Sequence, residues 1–261
     1  MQWTARHRKS KKVASWGIVA RQSMCGRVYQ TYSDEELYFR YMSRRPEVPF
    51  GWSPVYNLCP TQDSPIVRIV SGEIQIDRMR WQLVPATEPV FSTKLSTINA
   101  RSEGIFSRPL YRDLVIRQRC IVPVSGFYEW KRSGELRRPF RIHLRDEAIM
   151  SFAGIWDTWR PGTSEERRSF SILTTSANDF MKDIHNRMPV ILDRSHEAAW
   201  LDPAIRDRAV LEEMLQPCSS SWLDAVEVSS LVNSPKNNSP EVLRPRTGSF
   251  TDDPPPLLFE L

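Results

Sequence analysis

Five short runs between positions 120 and 175 constrain the fold more than any other feature. Cys120 to Val124, Phe127 to Lys131, Phe140 to Leu144, Ile149 to Trp156 and Phe170 to Thr175 are each rich in β-branched and aromatic residues. Ser125-Gly126 and Ser133-Gly134 punctuate them. Connections this short leave no room for crossover helices, so neighbouring strands pair antiparallel. Upstream, Val28 to Tyr32 reads as strand, Ile66 to Val70 and Ile74 to Met79 flank a Ser71-Gly72 turn, and Trp81 to Pro85 continues the sheet. Helical signals are local. Ser33 and Glu36 form a capping box ahead of Leu37, Tyr38 and Tyr41. Asn99 to Ser107 opens a helix, Asn178 to Ile184 forms a short one, Ser195 caps another, and Asp202-Pro203 stands at N-cap and N1 of the next. Arg44 to Pro65 and Glu88 to Ser96 read as loops. The expectation is an α+β fold, a mostly antiparallel sheet or barrel-like β core with peripheral helices.

Charge is unevenly placed. The formal net charge is +5, yet residues 1–23 hold six basic side chains (Arg6, Arg8, Lys9, Lys11, Lys12, Arg21) and no acid. Setting those six aside reduces 36 basic residues to 30, against 31 acidic ones. Any binding of nucleic acid by the folded part must therefore come from a local patch. Residues 1–23 imitate a secretory signal, but the apolar run Val13 to Ala20 is short, Arg21-Gln22 interrupts it, and Met24 stands where a lipoprotein signal needs a small residue. They are expected to be a disordered basic extension, or to precede the start codon in use. Residues 24–238 are expected to form the domain and 239–261 a Pro-rich tail. No apolar run approaches the ~18–20 residues of a membrane span, so no membrane partner is expected. The four cysteines, Cys25, Cys59, Cys120 and Cys218, lack metal or redox spacing. Cys59, Cys120 and Cys218 read as reduced core thiols, which places the chain in the cytoplasm, or in the nucleus of a eukaryote. No spacing joins His7, His143, His185 and His196 into a metal site, and no metal or other cofactor is expected.

Several residues could carry chemistry. A cysteine that becomes a chain terminus presents an amine and a thiol on adjacent carbons, which condense with an aldehyde to a five-membered thiazolidine. Cys25 could do so only if the chain began, or were cut, after Met24. Glu129, on a strand beside bulky aromatics, is either a desolvated proton-transfer carboxyl or a surface partner of Lys131. His185 is an acid/base group or a helix C-cap. Arg27 and Arg101 could grip phosphates or form ordinary ion pairs. Asn99 could orient a substrate or cap a helix. Tyr128 and Trp130 could stack bases or belong to the core. His143 alternates with Phe140, Ile142 and Leu144 and is read as pointing outward.

Taken in order, Met24-Cys25-Gly26-Arg27, Tyr56-Asn57-Leu58-Cys59-Pro60-Thr61, Ile98-Asn99-Ala100-Arg101-Ser102-Glu103, Gly126-Phe127-Tyr128-Glu129-Trp130-Lys131 and Asp183-Ile184-His185-Asn186-Arg187-Met188-Pro189 resemble the SRAP family, the SOS response-associated peptidases or abasic site processing proteins. The resemblance runs from Met24 to about Asn238. It implies a monomeric sensor of abasic sites in single-stranded DNA that crosslinks to the lesion as a thiazolidine. Carried over, Cys25 is the nucleophile, Glu129 the proton shuttle, His185 a second acid/base group and Asn99 the positioning residue. Arg27 and Arg101 hold phosphates, and Trp130 lies on the DNA. Relatives often place tryptophans between Trp81 and Asn99 that pack on bases; this loop has Phe91. Other readings are a cysteine autopeptidase cutting before Cys25, a non-covalent single-strand binding module, and a structural cysteine.

Overall fold

The computed structural model describes residues 26–42, 45–134, 136–146 and 148–247. In chain order these form β1 (Val28–Gln30), α1 (Asp34–Tyr41), β2 (Val55–Leu58), β3 (Asp63–Val70), β4 (Glu73–Trp81), β5 (Asn99–Arg101), α2 (Arg112–Arg117), β6 (Arg119–Val124), β7 (Gly126–Ser133), β8 (Leu136–Leu144), β9 (Met150–Trp159), β10 (Arg167–Ser176), α3 (Asp179–Lys182), β11 (Arg187–Pro189), α4 (Arg194–Leu201), α5 (Arg208–Glu213) and β12 (Leu223–Glu227).

Two β layers result. In one, the strand order β10-β4-β3-β6-β9 closes on itself because β9 also pairs with β10. A ring with an odd number of strands cannot be antiparallel throughout, and the pair that runs parallel is β10 on β4. Beyond the ring, the C-terminal half of β10 is held between β5 and β11: Thr174 pairs with Arg101 on one side and with Pro189 on the other. The second layer is an antiparallel sheet in the order β12-β8-β7-β1-β2. The fold is thus α+β with a barrel-like core.

Strand alternation divides the interior in two. Ile66, Cys120, Val122, Phe152, Phe170 and Ile172 face the second sheet and meet Val28, Phe127, Ile142 and Leu223. Their neighbours Val67, Ile121, Ala153, Ile155 and Leu173 pack instead with Leu37, Val115, Trp200 and Leu211 of the helices. Phe127 and Phe152 join the two β layers edge to face, centroids 5.7 Å apart.

Local signals explain most boundaries. Ser33 and Glu36 form the capping box of α1. Ser71 and Gly72 both have positive φ (51° and 85°), the geometry of a tight hairpin turn. Gly126 is required by close approach rather than by a turn, since a Cβ there would lie 2.3 Å from the Tyr29 hydroxyl.

Five expectations are corrected. Asn99–Arg101 is strand rather than the start of a helix, because β10, 73 residues on, offers it an edge. The stretch read as loop between Arg44 and Pro65 contains β2 and the start of β3. The helix expected to be capped by Ser195 is capped two residues earlier by Asp193, which accepts from the Ser195 amide, and starts at Arg194. Asp202-Pro203 leads into a turn, and Asp207 caps the next helix by accepting from the Ala209 and Val210 amides. His143 is not solvent-facing: although it lies on the β8 face opposite to that of Ile142, it is 6 % exposed, with Asp224 of β12 paired beside it.

Candidate functional site

Cys25 lies outside the described residues. The chain leading from it enters the fold at Gly26 and Arg27, where the Tyr128 amide donates to the Arg27 carbonyl (3.0 Å). Arg27 is 9 % exposed and turned inward. Its Nη1 donates to Asn57 Oδ1 (2.7 Å) and to the Val232 carbonyl (2.6 Å), and its guanidinium stands 5.9 Å from the Trp130 ring centroid. Asn57 in turn donates to the carbonyls of Ser234 and Asn237, and Trp130 Nε1 donates to Asn233 Oδ1 (2.7 Å). Arg27, Asn57 and Trp130 therefore clamp the segment 232–237 against β1, β2 and β7. Desolvation lowers the Arg27 pKa from its ordinary value.

Glu129 is 5 % exposed, so it is not a surface glutamate. It sits on β7 opposite Phe140 and shares a strand face with Phe127. Phe127 packs in one cluster with Ile98, Ile184 and Met188. Those three residues flank Asn99, His185 and Arg187. The hydrophobic core that Phe127 joins on β7 therefore also includes the neighbours of Asn99, His185 and Arg187.

Those polar residues are arranged around β10. Asn99, Ala100 and Arg101 of β5 pair with Ile172, Leu173 and Thr174, while Arg187 pairs with Ser176 across the other edge. Arg187 reaches over this end of the strand. It donates from Nη2 to the Thr174 carbonyl (2.7 Å) and forks onto Glu103, with Nη2 to Oε2 at 2.8 Å and Nη1 on Oε1. Asn99 is partly buried, whereas Arg101 is exposed. The Arg187 hydrogen bonds hold the Glu103 carboxyl below its usual pKa. Sequence alone does not single out Arg187 and Glu103. Both lie in the motifs quoted above, but a pair 84 positions apart leaves no local signal.

His185 closes the end of α3 through its amide, which donates to the Met181 carbonyl (2.8 Å). Its ring also takes part in the site. Nδ1 accepts the Arg187 N–H at 3.1 Å, which places the proton of the neutral ring on Nε2. A contact of 3.3 Å to the Arg187 carbonyl would need the opposite tautomer, and the shorter bond from an obligate donor decides. Desolvation, with the nearby charges of Arg132 and Arg187, pulls the His185 pKa below the ordinary 6.5. The imidazole is therefore neutral at physiological pH.

The remaining thiols are poor nucleophiles. Burial pushes Cys218 up to about 12 and raises Cys120 and Cys59. Among the described residues no three His, Cys, Asp or Glu side chains gather as a metal site, and no helix is long and apolar enough to cross a membrane. Phe91 lies elsewhere. Its ring is 5.7 Å from Trp159, with Arg80 and Arg167 above it, at the start of β10. Seven residues of strand, about 23 Å, separate Arg167 from Thr174.

A buried carboxyl, a neutral imidazole, an amide and exposed arginine charge are what proton transfer beside an anionic substrate requires. The family model of the SOS response associated peptidases (SRAP) matches residues 24–235. The chain is 37 % identical over 223 residues to abasic site processing protein YoaM of Bacillus subtilis, covering 84 % of this chain and 97 % of the relative. It is 27 % identical over 244 residues to abasic site processing protein HMCES of Xenopus tropicalis, covering 82 % and 72 %. A crystal structure of a Bacteroides thetaiotaomicron protein superposes with a TM-score of 0.73 at 28 % identity, covering 85 % of this chain and 100 % of that one. With motifs, fold and family model in agreement, the chain belongs to the SRAP family.

Proposed function

We propose that the protein processes abasic sites in single-stranded DNA, trapping the ring-opened sugar aldehyde on Cys25. The Cys25 amine adds to the aldehyde carbon, and loss of one water gives an imine. The Cys25 thiol then adds its sulfur to the imine carbon and its proton to the nitrogen, closing a thiazolidine. The net change is one aldehyde and one aminothiol joined, with one water released. Proton transfers limit such a sequence at neutral pH, and Glu129 and His185 are the groups that move them. In the neutral ring His185 carries its proton on Nε2, suited to a hydrogen bond to the sugar oxygen; it transfers a proton only from its protonated form. Asn99 positions the sugar, and Arg101 faces the phosphates. Arg27 and Trp130 act from beneath, fixing the strand on which Cys25 is carried.

What supports the reading is the burial of Glu129 on the strand paired with β1, where the chain enters, together with the placing of Asn99 and Arg187 on the two edges of β10 with His185 bonded to Arg187. The names of the relatives point to the same substrate.

The chemistry needs a free amine on Cys25, which follows from translation starting at Met24 and removal of that methionine, or from self-cleavage. In self-cleavage the thiol attacks the Met24 carbonyl, the peptide C–N bond breaks to free the amine, and water hydrolyses the resulting thioester, releasing residues 1–24 and restoring the thiol. The test combines intact mass with a denaturing gel, using single-stranded DNA with one abasic site. A protein beginning at Cys25 should give a shifted band, absent in Cys25→Ala. A product that retains residues 1–24 and still crosslinks would overturn the thiazolidine assignment. Cleavage before Cys25 without any crosslink would favour the autopeptidase, and a shift on native gels alone would favour a binding module.

A further inference from the structure

The β7–β8 hairpin carries like charges directly across from one another. Lys131 pairs with Arg138 and Arg132 with Arg137, in two successive rungs. Side chains so paired have Cβ atoms about 4.5–5.5 Å apart, and like charges there destabilise the hairpin. The stretch 131–138 holds those four basic residues and one acid, Glu135. Arg138 is relieved by Glu227, which accepts from its Nε at 3.2 Å. Among the described residues, no acid pairs with Lys131, Arg132 or Arg137. Elsewhere on the surface arginines are commonly matched, as in Arg45 with Glu35, Arg160 with Glu165 and Arg208 with Glu212. Arg132 and Arg137 are exposed and Lys131 partly so.

The position of this charge is as informative as its sign. β7 is the strand that carries Glu129, and Arg132 lies three residues, about 10 Å, beyond it. Arg132 is also close enough to act on the His185 ring. Successive rungs face opposite sides of the ribbon, so Lys131 lies on the Glu129 face and Arg132 with Arg137 on the other; both faces of the hairpin tip extend the strand that carries Glu129. Sequence beyond residue 23 is close to neutral in net charge, so the patch is a local concentration.

We propose that the tip of the β7–β8 hairpin, with Lys131 on one face and Arg132 and Arg137 on the other, is a phosphate-tracking element, which receives the backbone of the DNA strand flanking the abasic nucleotide. The inference rests on the proposed function and deepens it. The partner is a linear polyanion, and counterion release from its phosphates offsets the repulsion the hairpin carries when free. A solvated, partnerless hairpin would have no reason to keep two like-charged rungs in register.

The test uses Lys131→Gln with Arg137→Gln, which breaks both rungs and leaves Arg132 to act on His185. Binding is measured against salt on single-stranded oligonucleotides carrying a tetrahydrofuran abasic analogue, which cannot open to an aldehyde. One oligonucleotide is long on both sides of the lesion and one barely covers it. The salt slope on the long oligonucleotide should fall by about 1.4, or 0.7 for each single-strand phosphate no longer neutralised. Affinity for the short one should stay within twofold. Crosslink yield on a natural abasic site at saturating protein should be unchanged. A second variant, Arg137→Glu, restores charge complementarity opposite Arg132; it should melt higher than wild type while binding the long oligonucleotide more weakly. An unaltered salt slope, with wild type binding and crosslinking normally, overturns the hairpin assignment alone. A wild-type protein that neither binds nor crosslinks abasic DNA overturns both this and the function on which it rests.

Discussion

In the proposed mechanism two residues, Glu129 and His185, move the protons. Glu129 is buried on the strand that meets the entering chain, and a positioned acid/base group contributes about 10²–10⁴ in rate. Glu129→Gln keeps the shape and removes the proton transfer, so single-turnover crosslinking should slow by roughly that factor while DNA affinity holds; a rate within threefold of wild type would remove Glu129 from the mechanism. His185 gives a pH signature. Its folded pKa lies below the ordinary 6.5, chiefly through desolvation and secondarily through Arg132 and Arg187. The unfolded chain therefore takes up the proton first as pH falls, and the stability present above the ordinary pKa is lost as pH drops from there through the folded value. The acid limb of the crosslinking rate should sit below 6.5. Arg132→Gln removes a repelling charge and should move that limb, and the His185 ring titration followed by NMR, to higher pH. An unmoved titration would separate Arg132 from the site.

At the scale of elements, what could be read from the sequence was what depends on neighbours in the chain. The α1 capping box and the Ser71-Gly72 hairpin depend on residues one to three apart, and both form. Strand character at 120–175 follows from composition. What could not be read depends on distant partners. β5 is a strand because β10 accepts it, β2 because β1 does, and the burial of His143, beside Asp224 of β12, depends on chain distant in sequence. Among site residues, Glu129 and His185 were identifiable by type and motif, while the Arg187–Glu103 fork and the inward turn of Arg27 onto Asn57 required the fold. The link from β4 to β5 carries an uncommon device. Gln82 has φ 110°, where side chains are strained, and its Nε2 lies 3.4 Å and 3.5 Å from the Thr93 and Leu95 carbonyls. These long hydrogen bonds are worth less than the strain, of order 1–3 kcal/mol. Gln82→Gly should therefore raise the melting temperature, and Gln82→Ala, which keeps the strain and removes the hydrogen bonds, should lower it. The reverse order in thermal melts would mean that the side-chain tether outweighs the backbone strain.

The whole molecule places the two halves of the site on different β layers. Glu129 belongs to the β12-β8-β7-β1-β2 sheet, whereas Asn99 and His185 depend on β10 of the closed ring. Among the described residues no strand pairing crosses between those two halves. β6 runs into β7 through Ser125, and Gln30 of β1 donates to Ser64 Oγ and to the Pro123 carbonyl. Side-chain packing, with Phe127 against Phe152 an aromatic contact that spans the layers, sets the rest of their separation. Phe152 lies on β9 and is fully buried. Phe152→Leu keeps an apolar side chain and every acid/base group, but it removes the edge-to-face contact and part of the volume that spaces the layers. The expected loss of stability is about 1–3 kcal/mol. Because a misplacement of about 1 Å can cost around 10² in rate, crosslinking at saturating DNA should fall ten- to a hundredfold. Affinity for the tetrahydrofuran analogue should change by less than threefold, since phosphate binding tolerates such shifts. Both are measured well below the melting temperature, where the folded population is saturated. Equal losses in rate and affinity would mean that the substitution merely loosens the fold; an unaltered rate at a lowered melting temperature would mean that Glu129 and His185 are held in register by something other than this contact.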